Sequence, residues 1–181
     1  MSKVLASLCN MPQPASSGLI LADLGTGECR LLDMGMPEKI KTCTGLALAD
    51  GRVYAVGVTA AEVHYLAVLA PDTFATLFVC QLTHVRDVHS ILVAHDALYV
   101  VSTGTDTVLR YDLLPEGLSN PVVAWQASSE GRDTHHVNSI ALWNGEVVIS
   151  AFGPKTGATW STATGGYIHN LTQNRRVAEG I

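Results

Sequence analysis

The sequence predicts an all-β fold, a β-propeller of about four antiparallel four-stranded blades whose first blade lacks its inner strand. The first observation is a repeat of an apolar strand, a short turn and a second apolar strand, read in TGLALADGRVYAVGV, HSILVAHDALYVVST and NSIALWNGEVVISAF. These segments begin at Thr44, His89 and Asn138, in steps of 45 and 49 residues, and this period is typical of one blade per repeat. The second observation is that 48% of the residues are hydrophobic and only 15% are charged. This composition suits stacked sheets whose strands are covered on both faces.

The repeat divides the chain into blade 1 (1–40), blade 2 (41–85), blade 3 (86–134) and blade 4 (135–181), a single domain. Blade 1 offers only three strands, Val4–Cys9, Gly18–Asp23 and Arg30–Met34. The strands predicted for blade 2 are Gly45–Ala49, Arg52–Val58, Val63–Leu69 and Ala75–Leu82. Those of blade 3 are Ser90–Ala94, Leu98–Thr103, Val108–Leu113 and Val122–Gln126. Those of blade 4 are Ser139–Trp143, Val147–Phe152, Gly166–Asn170 and Arg176–Glu179.

Local signals support most of these strands and conflict at one. Asp50-Gly51 and Asn144-Gly145 are turn pairs typical of β-hairpins. The third strand of blade 2 lies in AAEVHYLAVLA, whose Ala, Glu and Leu favour a helix when the segment is taken alone. Its register with the equivalent segments of the other blades predicts a strand instead.

The missing inner strand of blade 1 leaves the architecture open in three ways. Propellers usually hide their strand edges by closing the ring, because an unpaired edge invites aggregation. The chain is therefore part of a larger propeller, or a second copy completes the ring through blade 1 and blade 4, or blade 1 stays three-stranded. In the first two cases the edge at Val4–Cys9 pairs with another strand.

Charge, hydropathy and cysteine usage exclude several classes of partner. The net charge is −5 and the 11 Lys and Arg residues are scattered, so binding to nucleic acid is not expected. No apolar run approaches the roughly 18 residues that cross a membrane, and the N-terminus lacks the apolar core of a signal peptide. The four cysteines show no CxxC pair and no zinc-module spacing. We expect a cytoplasmic protein with reduced thiols and no contact with a membrane.

The candidate site lies where the outer strand of one blade leads to the inner strand of the next. In a propeller these connections open on one face, near the central axis. Alternation along an extended chain aligns Thr42 with Asp87 and His136, and aligns Thr44 with His89 and Asn138. We therefore expect a ligand-binding site that includes Thr44, Asp87, His89, His136 and Asn138.

Two further connections are predicted to open on the same face. The turn after the second strand of blade 3 carries Thr103. The segment 153–165, GPKTGATWSTATG, is the longest stretch of low hydrophobicity, and long loops on a rigid scaffold commonly carry binding functions. Within this loop, we expect Trp160 to cover a bound ligand and Lys155 to pair with an anionic substrate. We add Thr103, Lys155 and Trp160 to the predicted ligand-binding residues.

The segment ALYVVSTGTDTVLRYDL, at 97–113, resembles the repeat of the YVTN and lactonase-like propellers. Over most of the chain, GLILADLGTGE, DVHSILVAHDALYVVSTGTD and HHVNSIALWNGEVV are similar to an uncharacterised family of bacterial hypothetical proteins expected to be propellers. That resemblance implies a fold and no activity, and its members are longer than this chain. A more distant likeness is to the gluconolactonase and strictosidine synthase propellers, which implies a divalent metal on the axis.

Three functional hypotheses follow. The first, which we favour, is a binding module that recognises a small molecule or a protein on its top face without turnover. The alternative is a metal-assisted hydrolase or lyase of the lactonase kind, with Asp87, His89, His136 and Asn138 holding a divalent metal ion. The third is a structural module whose edge pairs with another chain. No GxSxG, Ser-x-x-Lys or HExxH motif is present, so whether the protein is an enzyme, and with which cofactor, stays open.

Overall fold

The computed structural model describes residues 3–9 and 18–180, and it is built from four antiparallel sheets. Helix is limited, in the described residues, to two single turns of 3₁₀ helix at Thr103–Thr105 and Trp160–Thr162. The chain forms two compact units. Unit 1 runs to Thr83 and includes Pro115–Gly117, whereas unit 2 contains His84–Leu114 and the chain from Leu118 onward. The all-β prediction is confirmed.

Unit 1 contains two sheets in which consecutive strands are neighbours. Sheet 1 has the order β1-β2-β3, with strands β1 (Lys3–Leu8), β2 (Gly18–Asp23) and β3 (Cys29–Leu32). Sheet 2 has the order β4-β5-β6-β7, with strands β4 (Ile40–Ala49), β5 (Arg52–Thr59), β6 (His64–Leu69) and β7 (Thr76–Leu82). The ambiguous segment of blade 2 is therefore strand β6, because both of its edges are paired in sheet 2 and this pairing overrides the local helix preference.

The core of unit 1 consists of apolar side chains from its two sheets and from the connection between them. Strand β5 is buried along almost its whole length, as expected for a strand covered on both faces. The fully or nearly buried members of this core are Leu19, Leu21, Leu32, Met34, Cys43, Val53, Ala55, Ala67 and Leu69.

Unit 2 contains the other two sheets. Sheet 3 is formed by β8 (Val88–Ala94), β9 (Ala97–Ser102), β10 (Thr107–Leu114), the two-residue strand β11 (Gly117–Leu118) and β12 (Val122–Gln126). Sheet 4 is formed by β13 (Val137–Trp143), β14 (Glu146–Ala151), β15 (Tyr167–Asn170) and β16 (Arg175–Glu179). Consecutive strands are neighbours in both sheets, except that β11 and β12 both pair with β10.

Sheets 3 and 4 pack against each other through a shared apolar core. Val101 and Val108 of sheet 3 meet Val137, Ile149 and Tyr167 of sheet 4, and each of these five side chains is at most 1% exposed. This packing fixes the beginnings of β8 and β13 relative to each other. These two strand starts carry His89 and Asn138.

Three two-residue hairpin turns close the inner strand pairs at the positions that the repeat predicts. Their central residues all have positive φ, as a type I′ turn requires: Asp50-Gly51, His95-Asp96 and Asn144-Gly145. Because Gly, Asn and Asp adopt positive φ at low cost, these pairs fix the register of each hairpin.

The strand boundaries differ from the prediction in a regular way. The inner strands of blades 2, 3 and 4 begin at Ile40, Val88 and Val137, earlier than the sequence pattern indicates. Several residues predicted to lie in connecting loops are therefore in strands. The described residues contain 16 strands rather than 15, because β11 was not predicted. Blade 1 has three strands in the described chain, with β1 at one edge of its sheet.

Candidate functional site

Three of the predicted site residues occupy the same irregular position in three sheets. The pairing of β4 with β5 shifts register between Cys43 and Gly45, so that Thr44 has no direct partner. The same shift occurs around His89 in β8 and around Asn138 in β13. Each of the three is the extra residue of a β-bulge. Because a bulge changes the direction of the bulged side chain, it is a common device beside binding sites.

A second backbone feature precedes the bulge in sheets 3 and 4. Asp87 and His136 both have φ of 51°, in the left-handed region. The carbonyl of Asp87 accepts a hydrogen bond from the Thr103 N–H, and that of His136 accepts one from the Phe152 N–H. Asp and His are among the few L residues that enter this region with modest strain, and such strain often accompanies functional sites.

His89 is the centre of the polar cluster. Its Nδ1 atom is 3.0 Å from Oδ1 of Asn138, and its Nε2 atom is 3.4 Å from Oδ1 of Asp87. A protonated imidazole donates from both ring nitrogens, so these two oxygens suit the charged form. The hydrogen bond to Asp87 is the main cause that raises the pKa of His89, burial opposes the shift, and the hydrogen bond to Asn138 adds to it.

His136 lies beside His89 and is oriented by a residue that the sequence analysis missed. The two imidazole rings are 4.9 Å apart in an edge-on arrangement. The Nδ1 atom of His136 is 3.0 Å from Oδ2 of Asp133, and the other oxygen of Asp133 accepts the backbone N–H of His136 at 3.1 Å. A carboxylate that accepts from Nδ1–H presents Nε2 to an outside partner. The Asp-x-x-His spacing at 133–136 was the signal that could have identified Asp133.

Two aromatic side chains also contact His136. Its ring centroid is 4.8 Å from that of Phe152, the residue that follows β14. It is 4.5 Å from that of Trp160 in the 153–165 loop. The ammonium group of Lys155 lies 4.3 Å from the Trp160 ring centroid, within the range of a cation–π contact. The structure thus brings Asp87, His89, His136, Asn138, Lys155 and Trp160 into one cluster in unit 2, joined by Asp133 and Phe152. We call this set the histidine cluster.

The backbone segment that carries His136 is held by hydrogen bonds to the carboxylate of Asp106. This carboxylate is completely buried, and its Oδ2 atom accepts the backbone N–H of Thr134 at 2.6 Å, the Thr134 hydroxyl at 2.7 Å and the backbone N–H of His135 at 2.8 Å. Charge-assisted bonds of this kind are among the stronger interactions in proteins. Asp106 therefore fixes the backbone from which His136 projects.

Two predicted ligand-binding residues lie outside the histidine cluster. Thr103 is fully buried, and its hydroxyl donates to the carbonyl of Val137 at 2.6 Å, which supports the start of β13. Thr44 belongs to unit 1, where its Oγ1 atom is buried without a hydrogen-bond partner among the described residues. The hydroxyl of Thr42, two residues earlier in β4, is also buried without a hydrogen-bond partner among the described residues.

The 153–165 loop is closed at its base by glycine. Gly153 has φ of 82°, and a Cβ atom at this position would lie 2.4 Å from the carbonyl oxygen of Gly165. A bridge between Lys155 and Ala163 narrows the loop further, and Trp160 begins its short 3₁₀ turn. Only glycine permits this close approach, so the loop returns to β15 with Trp160 against His136.

The side chains of the histidine cluster are not arranged as a ready metal site. In the described part of the chain, no three His, Cys, Asp or Glu side chains are grouped so that they could hold a metal ion. Both nitrogens of His89 face oxygen atoms of the protein itself, which leaves neither directed at an outside ion.

Comparison with known proteins supports the fold and no specific activity. No protein-family profile matches the chain. No curated protein matches it either. Among solved structures, the Dos1 propeller aligns with a TM-score of 0.56 at 11% identity, over 91% of this chain and 38% of that chain. The fold is a partial β-propeller.

Two further solved structures align less well. The computationally designed Ika8 protein has a TM-score of 0.49 at 14% identity and covers 90% of this chain and 42% of that one. The N-terminal domain of Nup159 has a TM-score of 0.44 at 14% identity, over 84% of this chain and 40% of that one. This propeller chain thus spans about two fifths of the length of each of these three structures.

The described residues of the propeller contain no helix with the length and hydrophobicity needed to traverse a membrane.

Proposed function

We propose that the protein is a binding propeller that holds a small molecule or a protein partner at the histidine cluster, without turnover. The single observation that carries this proposal is the repeated bulge at His89 and Asn138, which directs two side chains from neighbouring sheets to within 3.0 Å of each other. The same bulge occurs at Thr44 in sheet 2, but in sheets 3 and 4 it brings two polar side chains together, and bulges are over-represented next to active sites, where they redirect a side chain. Ordered polar side chains on a rigid scaffold are typical of binding sites.

A fragment screen observed by NMR tests this proposal. The protein is labelled at its histidine rings, and His89→Gln and His136→Gln variants assign the resonances. Mixtures of small polar and apolar fragments are then added. We expect at least one class of fragment to shift the His89 and His136 resonances in the wild type and to lose that effect in both variants.

His95→Asn provides the matched control for the screen. His95 lies in the turn at the far end of β8, six residues from His89, which is about 20 Å in an extended strand. Asn tolerates the positive φ of that turn, so the variant should fold and bind like the wild type. A screen in which no fragment moves either cluster resonance, or in which His95→Asn loses binding as well, would refute a site here.

The alternative function, a metal-assisted hydrolase or lyase, would use Asp87, His89, His136 and Asn138 as metal ligands. Metal analysis of the purified protein separates the two proposals. Stoichiometric Zn, Ca, Mn or Fe that is lost in a His89→Ala variant would favour the enzyme. A metal-free protein that still binds a fragment at the cluster would favour the binding module.

We also propose that two copies of the chain associate through sheets 1 and 4. Strand β1 forms an edge of sheet 1 and its Val4 side chain is 44% exposed, whereas Trp143 of sheet 4 is 56% exposed. Exposed apolar groups at a strand edge favour pairing with another chain. Light scattering at micromolar concentration should give a mass above 19.2 kDa, and a strictly monomeric protein would contradict this.

A cytoplasmic location is proposed on the state of the cysteines. All four are free thiols, and Cys9 and Cys29 are exposed. Exposed unpaired thiols persist in a reducing compartment, whereas an oxidising one tends to pair them. Free-thiol titration of protein purified without reductant should find four reactive groups after unfolding.

A further inference from the structure

Among the charged and titratable side chains of the histidine cluster, Lys155 alone lacks an ion-pair partner. Asp87 lies beside His89 and Asp133 lies beside His136, so each carboxylate already has an imidazole partner. Lys155 differs, because no carboxylate oxygen of the described residues lies within ion-pair distance of its ammonium group. Its ammonium group instead contacts the ring of Trp160. A cation that is held by an aromatic ring and has no counter-ion can form an ion pair with an incoming anion.

The surface next to Lys155 is apolar as well as charged. Phe152 is 42% exposed although it contacts both His136 and Trp160. Trp160 contacts both His136 and the ammonium group of Lys155. Phe152 therefore provides the accessible ring surface of the cluster, and a ligand that pairs with Lys155 can place an apolar group against it.

Resting on the function proposed above, we infer that the histidine cluster takes a small carboxylate with an apolar or aromatic body, its carboxylate on Lys155 and its body on Phe152. A phosphate dianion suits the cluster less well. Lys155 is a single unpaired cation, and the carboxylates of Asp87 and Asp133 would repel a second negative charge. A neutral aromatic molecule would leave the ammonium group unpaired.

Phenylacetate is the probe for this inference, followed by NMR through the ring resonances of His136, Phe152 and Trp160. Phenylethanol has the same ring without the charge, and inorganic phosphate has the charge without the ring. We expect phenylacetate to bind about fivefold more tightly than phenylethanol, which is the effect of one partly exposed ion pair. Phosphate should leave the Phe152 resonances unchanged.

Lys155→Gln should reduce the affinity for phenylacetate to that for phenylethanol. Lys155 is exposed and lies in a loop, so the substitution should not impair folding. Arg175→Gln removes the same charge from an exposed position in β16 of the same unit and should leave the affinity unchanged. Binding of phenylacetate that is equal in the wild type and in Lys155→Gln overturns the inference.

The outcomes also separate this inference from the proposed function. If phenylethanol binds the cluster as tightly as phenylacetate, the preference for a carboxylate is wrong and the binding site stands. If phenylacetate has no effect on the cluster while other fragments shift His89 and His136, the ligand class is again wrong. If no probe and no fragment moves those resonances, both proposals are refuted.

Discussion

His89 and Asn138 are 49 residues apart in the sequence, and their Nδ1 and Oδ1 atoms are 3.0 Å apart in the structure. Each is the bulged residue at the start of the inner strand of its own sheet. The repeat therefore brings equivalent positions of sheets 3 and 4 into direct contact. This relationship leads to predictions about protonation, stability and the order of the nearby loop.

The pKa of His89 should fall when either oxygen partner is removed, and by different amounts. Asp87 is the larger cause of its raised pKa and Asn138 the smaller. We expect the pKa to decrease more in Asp87→Asn than in Asn138→Leu, because the first variant also removes a negative charge. Titration of the His89 ring by NMR measures both values. His95→Asn is the control, and a larger shift in Asn138→Leu than in Asp87→Asn would contradict the assignment.

Stability should depend on pH through His89 with a definite sign. A histidine whose folded pKa is raised stabilises the fold fully below the unfolded value of 6.5, and this stabilisation is lost as the pH rises through the folded pKa. His89→Gln should therefore destabilise the protein more at pH 5.5 than at pH 8.5. The groups facing His89 are Asp87, Asn138, His136 and Asp133. Thermal melts of both proteins across this range test the sign.

His169 should show the opposite dependence. Burial lowers its pKa, the hydrogen bond to Asn174 opposes the shift, and Arg176 lowers the pKa further. Its neutral form is favoured in the folded state, so its contribution to stability is fully present above the unfolded value of 6.5 and is lost as the pH falls from there through the folded pKa. The difference in melting temperature between wild type and His169→Gln should become less favourable to the wild type at acidic pH. A pH dependence with the same sign as that of His89 would contradict a lowered pKa for His169.

Removal of the Asp106 carboxylate should be among the costliest changes in unit 2. Asp106→Ala leaves three backbone N–H groups and one hydroxyl without their buried acceptor, and a loss of about 3 kcal/mol in the free energy of unfolding is expected. Urea denaturation measures this loss. The matched control is Asp112→Asn in β10, the strand that follows Asp106; its carboxylate is exposed and paired with Arg110 and should contribute about 0.5 kcal/mol. Equal losses in the two variants would contradict the structural role of Asp106.

The base of the 153–165 loop should tolerate a side chain at one glycine and not at the other. Gly153→Ala places its Cβ 2.4 Å from a backbone oxygen, whereas at Gly165 nothing lies within 4 Å of a Cβ. Both have positive φ, so Gly165→Ala measures the conformational strain of about 1 kcal/mol and Gly153→Ala adds the steric clash. The contact between Trp160 and His136, observed as an NMR cross-peak, should weaken only in Gly153→Ala. Preservation of this contact in Gly153→Ala would show that the loop base is not required for it.

Local sequence was sufficient for most of the strands and turns. Apolar periodicity identified β5, β9 and β14, and pairs such as Asn144-Gly145 located the hairpins, because the φ and ψ preferences of these residues act within a few positions. The alignment of repeats also selected Asp87, His89, His136 and Asn138, which lie close together in unit 2. The sequence did not distinguish these four residues from Thr103, whose hydroxyl donates a hydrogen bond to the backbone carbonyl of Val137.

The sequence by itself determined the all-β class, the repeat and the set of polar residues aligned at the starts of the inner strands. Tertiary structure decided how those residues are used. Simple alternation of an extended strand predicted side chains on alternating sides, whereas bulges at His89 and Asn138 and left-handed residues at Asp87 and His136 redirect them. The roles of Asp133 and Asp106 as hydrogen-bond partners of the segment that carries His136 were likewise not apparent, because a carboxylate in a loop has no periodic signal. The role of such a carboxylate depends on which N–H groups surround it once the sheets have packed. These contacts join segments that are distant in the sequence.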